Sequence, residues 1–174
     1  MKFLLGICAG VVLTGAAIVA YFWFGYAPVA VADKPMPFEA EIADRALDAH
    51  VARLAVQDSP LAVNEANLVS GAYLYGMDCA GCHGLPGKPK GAMASAMYPP
   101  PPQFFAGHSG HGGHPLNETY WKVSNGIRLT GMPAFHGILS ETQMWQVSQV
   151  IGNANVLPDA AKAALASADS DTSK

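Results

Sequence analysis

Charge is scarce in this chain, and cysteine scarcer. Asp, Glu, Lys and Arg make up 13% of the 174 residues, about half the share usual for soluble domains. The shortage is uneven: Lys2 is the one charge in the first 32 residues, and none follows between Phe3 and Tyr26. The rest of the chain holds nine basic against thirteen acidic side chains. That acidic balance leaves no basic stripe and argues against a nucleic-acid partner. Three cysteines, Cys8, Cys79 and Cys82, are too few for a disulfide framework. Strand patterns and internal repeats are lacking too, so helical periodicity has to carry the fold.

What is present begins with the uncharged run. At a helical rise it spans about 36 Å, enough to cross a hydrocarbon core of roughly 30 Å. Gly6, Gly10, Gly15 and Gly25 are tolerable in such a helix, and Tyr21, Trp23 and Tyr26 gather at its far end as an interfacial belt would. Residues 1–32 are therefore read as a transmembrane anchor with Lys2 on the cytoplasmic side. The alternative is a signal peptide cut after Ala30-Val31-Ala32. The run exceeds the roughly 7–15 residues of a signal h-region, which favours the anchor. Either way the rest of the chain is exported, which in a bacterium means the periplasmic face of the inner membrane. Leu5-Gly6-Ile7 makes a poor lipoprotein box, so Cys8 reads as a small buried hydrophobe.

Residues 33–63 read as a linker, stiffened by Pro35 and Pro37, with a surface helix from Glu39 to Val56 whose apolar stripe is narrow. Asn64 is a good N-cap, and helical spacing runs from there to about Asp78. Gly84 to Pro115 is rich in Gly, Pro and His and includes Pro99-Pro100-Pro101-Pro102. A stretch of that length is unusual in a compact domain unless it wraps a ligand. Further helices are expected at about 118–125 and 140–152, the latter capped by Ser140. Residues 64–158 form the one compact domain, and 159–174 read as a flexible tail.

The strongest signal is Cys79-Ala80-Gly81-Cys82-His83. C-x-x-C-H is the attachment pattern of c-type haem: two thiols reach the two vinyl groups of one porphyrin, and the next residue sets an imidazole at the iron. A thioredoxin-like C-x-x-C would need a βαβ context, and a zinc site would need two further ligands, for which His108, His111 and His114 are nearest. Of the later methionines, Met144 sits at core spacing and Met93 and Met97 lie in a Gly/Ala stretch. Met132 is held between Gly131 and Pro133 in a loop able to press against a flat macrocycle, which makes it the candidate second axial ligand. Tyr98, Phe104, Phe105, Trp121 and Phe135 are candidates for the apolar wall, Arg128 for a propionate, and His136 for a surface position. The loop His108–His114 is read as solvated rather than metal-binding.

Across roughly Asn64 to Leu157 the chain resembles a class I cytochrome c. The resemblance is carried by Gly71, Tyr75 and Cys79-x-x-Cys82-His83, then Asn125-Gly126-Ile127-Arg128-x-x-Gly131-Met132-Pro133, then Leu139-Ser140 with Trp145. It implies an all-α fold, a small helical domain wrapped around one covalently bound haem c, with first and last helices crossing at Gly71. It also implies Cys79 and Cys82 as thioether positions and His83 and Met132 as the axial pair. It departs at Val150, where the family carries an aromatic. With both axial positions filled the expected role is electron transfer and not catalysis. The expected partners are respiratory proteins such as a dehydrogenase or an oxidase, as a shuttle or as the haem subunit of a membrane complex. A haem sensor or enzyme with an open iron site is the alternative.

Overall fold

A computed structural model describes residues 1–55, 57–106 and 115–172. The described residues are all-helical, without strands, and the chain divides into two units, 1–42 and 43–174.

The first unit is dominated by α1 (Lys2–Trp23), which is apolar on every side and has no buried residue. It is long and apolar enough to cross a membrane. Past its end the chain turns at Gly25, and Tyr21 packs edge-on to Phe22 (5.5 Å) and stacks with Tyr26 (6.4 Å). The Asp33 carboxylate accepts from the Val29 and Ala30 amides, closing a tight loop.

The second unit is built around α3 (Glu65–Asp78). The Asn64 side chain accepts from the Asn67 amide at 2.9 Å, satisfying one of the helix's orphan donors. At the far end of the unit α7 (Glu141–Gly152) starts in a capping box: the Ser140 hydroxyl accepts from the Gln143 amide, and the Gln143 side chain from the Ser140 amide. The two helices cross at Gly71. A Cβ there would collide with the Gln146 carbonyl and press on Val150 Cγ2, so only glycine lets them approach this closely. The crossing thus forms with valine at 150, without the aromatic that the family carries.

Leu68, Ala72 and Tyr75 from α3 meet Val147, Val150 and Ile151 from α7, and the core continues through Val123, Phe135 and Leu139. Val123 belongs to α6 (Leu116–Asn125). Two stretches differ from the sequence expectation. The tail is a helix, α8 (Asp159–Thr172), whose Ala161, Leu165 and Ala168 are fully buried, with Ala168 set against Gly76 of α3. Small residues on both surfaces allow the backbones to close, and that contact holds the segment. The helix of the 33–63 segment, α2 (Glu39–Leu54), read as a surface helix of a linker, lies on the surface of the domain itself. Val51 is fully buried, His50 lies edge-on to Trp121 at 5.5 Å, and Asp48 pairs with Lys122 at 3.7 Å. Beyond it Gln149 donates to the Leu61 carbonyl and Gln57 to Glu141. Residues 43–55 and 57–63 therefore pack onto α6 and α7 as part of the domain.

Candidate haem site

Cys79 ends α3 and begins α4 (Ala80–His83), a single turn in which the Cys82 and His83 amides both donate to the Cys79 carbonyl. The turn presents the two thiols and the imidazole in succession, and Gly84, at φ +78°, then redirects the chain. Cys79 is buried and Cys82 half-buried. Burial pushes the Cys79 thiol up to about 12, with smaller contributions from Asp78 and Cys82. A C-x-x-C working by thiol–disulfide exchange needs the opposite, a thiol whose pKa is depressed. Tyr75, fully buried one turn back, donates its hydroxyl to the Gly84 carbonyl at 3.0 Å and ties the end of α3 to the chain past the turn.

His83 Nδ1 lies 2.9 Å from the Pro102 carbonyl. A carbonyl only accepts, so the proton sits on Nδ1 and Nε2 is left with a free lone pair, the arrangement a metal-bound imidazole requires. Phe104 stacks on the ring at 4.8 Å. Burial lowers the His83 pKa against the opposing pull of the Pro102 bond, which keeps the imidazole neutral. Gln103 Nε2 donates to the carbonyls of Cys82 (2.9 Å) and Pro101 (3.0 Å), fixing the proline run to α4. Tyr75 meets Phe104 and Phe105 edge-on.

The loop that carries Met132 is closed by its own hydrogen bonds. The Ile127 amide donates to the Met132 carbonyl, Thr130 Oγ1 to the Ile127 carbonyl at 2.7 Å, and the Met132 amide to Thr130 Oγ1 at 3.1 Å. Gly126, at φ +65°, packs so tightly that a Cβ would lie 2.7 Å from the Ala134 nitrogen. Phe135 and His136 return to α6, their amides donating to Val123 and Ser124. His136 Nδ1 also bonds the Ser124 carbonyl, at an exposed position. Met97 lies against Gly131, so the segment from Gly91 to Gln103 touches both the His83 turn and the Met132 loop.

Of the other residues singled out from the sequence, Phe135 and Met144 are in the core. Trp121 stands beside His50, on the α2 side of α6, and Arg128 is exposed. Among the described residues no group of three or more His, Cys, Asp or Glu converges as a metal cage. The loop His108–His114 lies outside the described residues. Sequence reasoning missed the Pro102 carbonyl, Gln103 and the contact made by Met97. The one available signal was the proline run itself, whose carbonyls have no neighbouring N–H groups to pair with.

An all-helical domain with a C-x-x-C-H turn, a neutral imidazole bonded through Nδ1 and a Gly-Met-Pro loop is a class I cytochrome c domain, and its function is haem-based electron transfer. More particularly, residues 66–149 match the family described as cytochrome C oxidase, cbb3-type, subunit III, a mono-haem class I cytochrome c family. Comparison with curated proteins and with solved structures returned no match.

Proposed function

We propose that the chain holds one haem c, joined covalently to Cys79 and Cys82 with His83 and Met132 as axial ligands. In this reading it passes single electrons to a respiratory complex from the exported face of a bacterial inner membrane. When bound, the haem supplies a one-electron iron couple. The residues do the rest. The Cys79 and Cys82 thiols would hold the porphyrin as thioethers, each S–H adding across one vinyl double bond with nothing released. Pro102 holds the imidazole in the tautomer that frees Nε2. The hydrogen bonds of the 126–132 loop fix the backbone from which the sulfur is offered. Filling both axial positions from the protein leaves no open site for substrate, which is why the reading is a carrier and not a catalyst. The family match at residues 66–149 supports an oxidase as the acceptor, and α1 supports a tether.

The observation that carries this proposal is the bond from His83 Nδ1 to Pro102, which leaves Nε2 as a ligand atom. The test is mass measurement and visible spectroscopy on protein made in a haem-competent host. The expected result is a mass increase of one haem that survives denaturation and a low-spin spectrum with a methionine-to-iron charge-transfer band, lost in Met132→Ala. A bare polypeptide mass rejects the proposal. A high-spin iron that binds carbon monoxide without denaturant turns it towards a sensor or an enzyme.

A further inference from the structure

Met97 has no part in the ligation just proposed, yet it touches the loop that matters most. Its methyl occupies the space that a side chain on Gly131 would take, and its sulfur lies 3.6 Å from that Cβ position. Gly131 directly precedes Met132. Internally the same loop is held by Thr130, whose hydroxyl bridges the Ile127 carbonyl and the Met132 amide. Met97 is half-buried, whereas Met93, one turn earlier, is 69% exposed. Met97 is therefore packed and Met93 is not.

What holds Met97 in place is the chain that follows it. Pro99 to Pro102 are four consecutive residues with φ restricted to about −65°, so this spacer has few conformations to lose. Its far end is fixed three times: the Pro102 carbonyl to His83, and the Cys82 and Pro101 carbonyls to Gln103 Nε2. At the near end α5 (Ala92–Ser95) leads into Met97, and its preceding residue, Gly91, packs by the Gly81 carbonyl of α4. Met97 is thus held from both sides by backbone anchored to the C-x-x-C-H turn.

We propose that Met97 is a positioning residue for the axial sulfur: wedged against Gly131, it fixes the loop that presents Met132 in a position set by the His83 turn. This rests on the reading that Met132 is a ligand. Without the wedge, a void opens beside Gly131. The loop keeps its Thr130 bonds but gains room to carry Met132 away, so an outside ligand competes more easily for the sixth position.

The test is titration of the full-length ferric protein in mild detergent with imidazole, following loss of the methionine-to-iron band. Met97→Ala is expected to strengthen apparent imidazole binding about four- to fifteenfold, the worth of one or two buried methylene groups. Met97→Leu conserves volume and is expected to stay within about twofold of the parent. Gly131→Ala, which expels the Met97 methyl, is expected to match Met97→Ala. Imidazole binding by Met97→Ala within about twofold of the parent overturns the proposal, on the same methylene scale. So does a methionine-to-iron band that persists in Met132→Ala, which would make Met97 itself a ligand. A parent protein that contains haem yet lacks the band overturns the reading beneath the proposal, and that failure is seen before any variant is made.

Discussion

Tyr75 shows how much one side chain does at the edge of the site. It is fully buried, it holds the Gly84 carbonyl, and it packs against Phe104 and Phe105. Burial, reinforced by Cys79, holds its hydroxyl above the ordinary tyrosine range. The consequence for stability has a definite sign. Below about pH 10 the hydroxyl is protonated in both folded and unfolded chains and adds no pH dependence. Above that, the unfolded chain gives up the proton while the folded one keeps it, so stability falls as pH rises. Conversion of Cys79 to a thioether removes the smaller cause and leaves burial, the larger. Urea unfolding midpoints at pH 7 and 11 check this: Tyr75→Phe is expected to be less stable by about 1 kcal/mol at pH 7, for the lost hydrogen bond, and to lose less than the parent at pH 11. Tyr120, raised by burial and then by Glu141, keeps some alkaline slope in both proteins.

At the scale of elements, α3 and α7 were legible because their signals are local: Asn64 and Ser140 as caps, and an apolar period between them. The C-x-x-C-H turn was legible for the same reason, since five consecutive residues carry it. α8 was not. Its Ala-, Ser- and Asp-rich sequence has the composition of a fraying end, and its buried face is mostly alanine. What orders it is the match to Gly76 on a helix some ninety residues earlier, a contact that no window of sequence contains. The same limit hid the Pro102 carbonyl and Met97, which reach their targets across the fold. It also hid the contact of Trp121 with His50 on α2. If α8 is part of the core, Leu165, 1% exposed, is a core residue. Leu165→Ala is then expected to cost about 2–4 kcal/mol in chemical denaturation, and Ala166→Ser, on the exposed side, less than about 0.5 kcal/mol. A Leu165→Ala loss as small as that of Ala166→Ser would return the segment to the status of a tail.

On the scale of the whole molecule, what remains to be explained is the apolar surface of α1. Its mean hydropathy is 2.4, none of that surface is buried, and Phe3 and Trp23 are 80% and 82% exposed. No monomer in water leaves such a cylinder uncovered, so either lipid covers it or a peptidase removes it. The two outcomes separate cleanly. If α1 is an anchor, the intact mass of the purified protein includes residues 1–32, and the protein stays with membranes through carbonate washing and leaves only in detergent. If it is a signal peptide, the mature chain begins at Asp33 and the protein is recovered without detergent. The anchor further predicts that the haem domain does not need α1 to fold, since none of the domain's core residues lies in it. Replacing residues 1–32 by a cleavable secretion signal is expected to release a soluble domain with an unchanged visible spectrum and a thermal midpoint within a few degrees of the parent's, the shift that about 1 kcal/mol produces in a domain of this size. A released domain that loses haem or unfolds at lower temperature would show that α1 supports the fold as well as tethering it.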